Sequence, residues 1–387
     1  MIPYARHEVS EADIDAVAGI LRSDFLTQGA TVPAFENAVT AYCGAKHAVA
    51  VNSATSALHI ACLALGVGPG DWVWTSPITF VASANCARYC GANVDFVDID
   101  PQTGNLSTQK LAEKLERAAH SGKLPKVVIP VHFAGQPCDM ATIRGLADRY
   151  GCKLIEDASH AIGARHRGSK IGDCAYSDIA VFSFHPVKII TTGEGGMALT
   201  NDQDLAQRMA LLRTHGITRD ENKFQEPTPG PWYYEQQALG FNYRMTDIHA
   251  ALGISQMKRL DEFVARRNGL AGSYDRELRG LPLRLPAVLP ENTSSFHLYV
   301  VRILRNVARK TRRQVFEELR QLGIGVNVHF IPVHLQPYYR KLGFGPGQYP
   351  EAEAHGDEAL TLPLFPSLTE QAQNQVVAAL KQVLGRA

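Results

Sequence analysis

From about residue 35 to residue 200, short apolar, β-branched runs alternate with stretches of helical period. "AVAVN" (48–52) reads as a strand, and "SATSALHIACLAL" after it as a helix opened by hydroxyl side chains. "DWVWTSP" (71–77) is a strand, followed by "TFVASANCARYCG", a helix ending at Gly91. "NVDFVDI", "KVVIPVHF", the helical "MATIRGLADRYG" and "KLIEDAS" continue the series, and "SDIAVFSF" and "GGMALTN" close it. This alternation predicts a mostly parallel sheet flanked by helices.

Beyond residue 200 the pattern changes. "DQDLAQRMALLRTHG" is an amphipathic helix, and "EPTPGPWYY" (226–234) is a proline-rich loop. One long helical stretch begins near Asp247 and runs through "SQMKRLDEFVARRNGLAGSYDREL". "HLYVVRI", "RRQVFEELRQLG", "IGVNVHF" and "EQAQNQVVAALKQVLG" then predict a compact β-α-β-α set. The expected division is residues 1–245 for an N-terminal segment and large domain. Residues 246–387 make a connecting helix and a small C-terminal α/β domain.

Composition narrows the function classes. The chain has 387 residues, 45% hydrophobic and 20% charged, with a net charge of +1, so no charge surplus argues for nucleic acid or an anionic membrane. The opening "MIPYARHEVSEADIDAV" lacks the basic-then-apolar pattern of a secretory leader. No apolar run reaches the roughly 20 residues of a membrane helix. The 7 cysteines are odd in number and scattered, without C-x-x-C pairs. Reduced structural thiols, no metal site and a cytoplasmic location are the expectation.

Three stretches carry candidate chemistry. "NSATSALH" (52–59) takes a strand into a helix N-terminus, where free N–H groups and the helix dipole suit a phosphate; an N-cap with no ligand is the other reading. "LIEDASHA" (154–161) ends a buried strand on Glu156 and Asp157, and alternation lets only one of them face a ligand. His160, three residues on, reads as facing the same cleft or as a structural histidine.

"FSFHPVKIITTGEGG" (182–196) places Lys188 among Pro186, Val187, Ile189 and Ile190. A lysine made less basic by burial forms an imine with a carbonyl; partnering a buried acid is the alternative. A P-loop is excluded, because G-x-x-x-x-G-K-[ST] occurs nowhere in the chain. A phosphate cradle, a strand-end acid and a sheltered lysine, in that order, are together what pyridoxal phosphate requires.

With these stretches, "TSPITFVASAN" and "GFNYRMTDIHAALG", the sequence resembles the nucleotide-sugar aminotransferases of the DegT/DnrJ/EryC1/StrS type over essentially its whole length. The resemblance implies a type I pyridoxal-phosphate-dependent aminotransferase fold: a large, mostly parallel seven-stranded domain and a small C-terminal domain. It implies a homodimer with shared active sites. Lys188 matches the Schiff-base lysine and Asp157 the partner of the pyridinium nitrogen. Ala54, Thr55 and Ser183 match phosphate-binding positions, Phe80 the aromatic stacked on the ring, and His160 a position beside the cofactor. Asn242 is expected to reach the phosphate from the neighbouring subunit. Sugar-nucleotide contacts are expected from Tyr4, from Asp24, Phe25, Leu26 and Thr27, and from Asn327, Val328, His329 and Phe330.

A branch of this family carries histidine in place of the lysine and dehydrates its substrate; Lys188 implies transamination instead. "FSFHPVK", "NSATSAL" and "LTQG" look most like the members that aminate C4 of a UDP-linked 4-keto-6-deoxy-N-acetylamino hexose for pseudaminic acid, with L-glutamate as donor. The alternatives are another nucleotide-linked keto sugar (dTDP-linked, or a UDP-4-keto-pentose) and a non-enzymatic regulator that binds the cofactor.

Overall fold

The structure, a computed structural model, describes residues 1–385. The last two residues of the 246–387 span therefore lie outside the described residues. Seven strands form the principal sheet: β1 (His47–Val51), β2 (Trp72–Thr75), β3 (Asn93–Phe96), β4 (Val127–Ile129), β5 (Lys153–Asp157), β6 (Ile179–Ser183) and β7 (Gly196–Thr200). Their order is β1-β7-β6-β5-β4-β2-β3. Only β7 runs against its neighbours; β6-β5-β4-β2-β3 pair in parallel. The expected mostly parallel sheet is what the chain forms.

Helices cover both faces. They include α1 (Glu11–Leu21), α2 (Thr31–Cys43), α3 (Ala54–Ala64), α4 (Ala82–Tyr89), α5 (Thr108–Ser121), α6 (Met140–Tyr150) and α7 (Gln203–Arg213). The strand period of two sorts the sheet's side chains. Val49, Val51, Ile155, Ile179 and Val181 pack on one face with Leu58 and Ala61 of α3 and Ala84 of α4. Ala50, Ala180, Phe182 and Met197 pack on the other with Phe35 and Val39 of α2. This parity later decides which strand-end residues meet a ligand.

The expected long helix from Asp247 is two helices, α8 (Asp247–Met257) and α9 (Leu260–Glu277). The break falls at Lys258 and Arg259, where Arg259 turns to Glu8 and Asp13 at 3.0 and 2.9 Å. An ion pair to the N-terminal segment thus replaces helical continuity.

Beyond α9, Tyr299–Ile303 lies between Leu283–Arg284 and Ala359–Leu362 in a three-stranded antiparallel sheet. Helices Arg312–Gln321 and Glu370–Leu384 pack over it, sharing a core with Tyr299, Val301, Leu319 and Leu380. "IGVNVHF" is not one of its strands. Its backbone pairs with the sheet at a single bridge, with Asn327 N–H to Thr361 O at 3.2 Å and Thr361 N–H to Asn327 O at 2.8 Å. The segment leaves the sheet and lines a cavity instead. Among the described residues no helix is long and apolar enough to cross a membrane. All seven cysteines are buried and unpaired.

Candidate active site

A cavity of about 820 Å³ opens at the carboxyl ends of β1, β5 and β6, the place where α/β sheets bind ligands. Its wall brings together Tyr4, Ala54, Thr55, Phe80, Asp157, His160, Ser183 and Lys188 with the run Asn327 to Phe330. The three stretches "NSATSALH", "LIEDASHA" and "FSFHPVKIITTGEGG" thus meet at one cavity, with Tyr4, Phe80 and the run from Asn327 added to them.

Strand parity separates the two acids. Asp157 shares the face of Ile155 and enters the cavity; its Oδ2 accepts from Ser83 Oγ at 2.5 Å and its Oδ1 from Ser159 N–H at 3.1 Å. Ser83 is itself held by Thr79 Oγ1 at 2.7 Å. Glu156 points through the sheet, where its Oε2 meets buried His132 Nε2 at 2.7 Å. Cys138 N–H donates to Nδ1 of the same ring at 3.1 Å, so Nε2 is the nitrogen that donates to Glu156. One acid serves the cavity and the other the fold.

Lys188 follows β6 in a loop tied down from both sides. Lys188 N–H reaches His185 O at 2.9 Å, Thr192 N–H reaches Phe184 O at 3.0 Å, and Phe184 N–H reaches Gly195 O at 2.9 Å. Ile189 and Ile190 are buried in the core and anchor the turn. Burial pulls the ammonium pKa down from 10.5 to about 8, and the Asp157 carboxylate acts weakly in the opposite sense. An amine in that state is a nucleophile and a proton carrier near neutral pH.

The turn into α3 is an N-cap that also leaves N–H groups free toward the cavity. Ser53 is the N-cap, accepting from Ser56 N–H at 3.2 Å, and Ser56 Oγ donates to Asn52 Oδ1 at 2.6 Å. The Ala54 and Thr55 N–H groups stand in the first turn, without intrahelical acceptors, on the cavity wall. Gly196 makes room for them: a Cβ there would meet Ala54 N at 2.4 Å. Ser183 completes this side of the wall.

Histidines dominate the side toward the C-terminal sheet. His160 Nδ1 accepts from Ala134 N–H at 3.3 Å, which leaves Nε2 as the protonated nitrogen of the neutral ring. Burial, followed by the charge of Lys188, holds its pKa far below the usual value. His329 is lowered to about 4 for the same two reasons, and its Nδ1 lies 2.7 Å from Thr361 Oγ1. His329 also packs beside Tyr4, with ring centroids 5.6 Å apart. Both rings stay uncharged.

Five of the expected residues are not in this cavity. Asp24, Phe25, Leu26 and Thr27 are exposed, with Phe25 61% and Leu26 46% accessible. Thr27 bridges to Thr246, at the N-cap of α8. Asn242 is exposed and bridges to Thr214; its backbone carbonyl accepts from the Asn52 side chain at 3.5 Å. Conversely, the cavity includes Thr79, His185, Glu194 and His297, and Ser83 stands behind Asp157. Ser83 lies within "TSPITFVASAN" at helical spacing from Thr79, a signal for a hydroxyl pair facing one way. His297 carried none, since it reads as the first residue of an apolar strand.

The donor set fits pyridoxal phosphate. Helix N–H groups with a serine suit the phosphate, a hydroxyl-supported carboxylate suits a pyridinium nitrogen, and a poorly basic amine suits the aldehyde. The volume lies within the roughly 300–1,000 Å³ of small-molecule sites. Fold and site together define a pyridoxal-phosphate-dependent aminotransferase.

The chain belongs to the DegT/DnrJ/EryC1/StrS aminotransferase family, whose model matches residues 7–381. It is 39% identical over 387 residues to the spore coat polysaccharide biosynthesis protein SpsC of Bacillus subtilis (99% of this chain, 97% of the relative). It is 42% identical over 358 residues to the GDP-perosamine synthase of Caulobacter vibrioides (92% and 91%). Among solved structures, PseC of Helicobacter pylori, an aminotransferase of pseudaminic acid biosynthesis, superposes with a TM-score of 0.90 at 29% identity, covering 99% of each chain. The sugar aminotransferase Spr1654 of Streptococcus pneumoniae, in its pyridoxamine phosphate form, gives 0.90 at 30% identity, again covering 99% of each chain. The protein is thus a nucleotide-sugar aminotransferase, and pyridoxal phosphate is its cofactor.

Proposed function

We propose that this enzyme transfers the amino group of L-glutamate to C4 of a UDP-linked 4-keto-6-deoxy-N-acetylamino hexose, giving UDP-4-amino-4,6-dideoxy-N-acetyl-β-L-altrosamine for pseudaminic acid. The observation that carries the chemistry is the convergence of Lys188, Asp157 and the α3 N-terminus on one cavity. Likeness to PseC supports the choice of sugar.

In this reading Lys188 is the covalent anchor and the proton carrier, able to take a proton because its lowered pKa leaves part of the amine unprotonated near neutral pH. Asp157, fixed by Ser83 and Ser159, holds the pyridine nitrogen protonated. The bound cofactor supplies an electron sink for the carbanion formed at the substrate carbon. Ala54, Thr55 and Ser183 seat the phosphate, Phe80 covers the ring, and His160 flanks it. Tyr4 and the run Asn327 to Phe330 face the sugar nucleotide.

The reading also places the enzyme in the cytoplasm as a homodimer. Exposed Phe25 and Leu26, together with Asn242, then belong to the partner's site. A GDP-linked sugar is the second reading, favoured by the 42% identity to GDP-perosamine synthase. Incubation with glutamate and UDP-, dTDP- and GDP-linked 4-keto sugars separates the two. The proposal expects the highest kcat/KM with the UDP-N-acetylamino sugar. A clear preference for a GDP sugar supports the second reading, and turnover of none overturns both.

A further inference from the structure

His297 stands on the cavity wall with its ring centroid 4.4 Å from that of His160. It sits where the chain enters the C-terminal sheet, and it is held there by backbone. Ser295 N–H reaches Gly135 O at 3.0 Å, Leu298 N–H reaches Ala134 O at 3.2 Å, and Arg267 Nη1 donates to His297 O at 3.2 Å. Gly135 allows this close approach, since a Cβ there would meet His297 N at 2.9 Å. The backbone that carries the imidazole is therefore fixed, and the buried ring packs against His160.

The ring's polar atoms are used unequally. Its Nδ1 is buried and has no partner among the described residues. The atom left to face the cavity is Nε2. A buried N–H without an acceptor is rarer and costlier than a buried lone pair without a donor. The neutral tautomer with the proton on Nε2 is accordingly the favoured one. Burial, together with the charges of Lys188 and Arg267, keeps the ring neutral. His160 has the same tautomer, fixed by Ala134.

We infer that His297 is a further substrate-contacting residue of this site, whose Nε2–H is a fixed neutral donor to an acceptor oxygen of the substrate reacting at Lys188. That oxygen comes either from a carboxylate of the amino donor or from a hydroxyl of the sugar. The inference rests on the transaminase reading of the cavity, which the visible band of the wild-type protein with pyridoxal phosphate tests by itself.

The test uses the holoenzyme and two variants, His297→Phe and His297→Asn. Phenylalanine keeps a ring against His160 without a donor; asparagine keeps a donor without the ring. The two half-reactions, with glutamate and with the sugar nucleotide, are followed separately by single turnover. His297→Phe should keep the cofactor band and affinity while losing roughly 3- to 10-fold in kcat/KM of one half-reaction, the worth of one neutral hydrogen bond. Which half-reaction falls identifies the source of the oxygen, and His297→Asn should recover most of the loss. Wild-type rates in both half-reactions of His297→Phe overturn the inference. So does a loss in His297→Asn as large as in His297→Phe. Should the phenylalanine variant not fold, ¹⁵N NMR of the wild-type imidazole decides: its Nε2 resonance must move when glutamate or the sugar nucleotide is added, and an unmoved resonance overturns the inference.

Discussion

Ser83 Oγ donates to Asp157 Oδ2 at 2.5 Å, from α4 to the end of β5. The helix that follows the expected ring-covering Phe80 thus also fixes the acid expected to pair with the pyridinium nitrogen. Asp157→Asn keeps the shape and removes the charge, so pyridoxal phosphate should bind roughly 10- to 100-fold more weakly, the range of a charge-assisted hydrogen bond. Ser83→Ala should produce a smaller loss of the same kind. Titration of cofactor binding by absorbance checks both, and unchanged affinity in Asp157→Asn would contradict the assignment.

The neighbouring acid should behave differently. Glu156→Ala leaves buried His132 Nε2 without its acceptor, at a penalty of about 1–3 kcal/mol in stability. Thermal unfolding should move to lower temperature while the cofactor band of the folded protein stays. Loss of the band with an unchanged melting temperature would reverse the roles given to the two acids.

Gly196 abuts the cradle turn, where a Cβ would lie 2.4 Å from both Ala54 N and Ser53 C. Gly196→Ala must push the first turn of α3 away from β7. Overpacking of this kind is worth about 1–3 kcal/mol. The variant should bind both pyridoxal phosphate and inorganic phosphate more weakly, which calorimetry measures.

Lys188 has its pKa lowered to about 8. Below that pH the folded protein must hold a charged ammonium in a buried place, while the unfolded chain keeps its proton up to the ordinary value of 10.5. Between these values the unfolded state binds more protons, so the stability linked to Lys188 rises with pH across that window. The reactive free amine rises through the same lower limit. Capture of pyridoxal phosphate by the cofactor-free protein should therefore speed up through about pH 8, in a stopped-flow series, and Lys188→Ala should abolish that rise.

Much of this site was legible in sequence because its parts are local motifs at strand ends. "NSATSALH", "IEDASHA" and "FSFHPVK" each pair a strand terminus with a chemically distinctive side chain, and the fold brings all three to one cavity. Alternation alone left Asp157 and Glu156 open and the resemblance chose Asp157; the physical reason is the face of β5, which the packing of Ile155 against α3 defines. "IGVNVHF" alternates like a strand, yet only Asn327 pairs with the sheet: Ile324 and Val326 are buried in the C-terminal core, and the run from Asn327 to Phe330 turns to the cavity. The break between α8 and α9 was hidden because Arg259 suits a helix well and its partners, Glu8 and Asp13, are remote in sequence. Asp24 to Thr27 and Asn242 are expected at the site from the resemblance alone, and within one chain they stand exposed, outside the cavity.

Lys188 is the proposed covalent anchor, and the absorption spectrum and turnover of Lys188→Ala after incubation with pyridoxal phosphate test that role. The variant is expected to fold, to lack the visible band of lysine-bound cofactor, and to turn over no sugar nucleotide with glutamate. A variant that kept both the band and the turnover would contradict it.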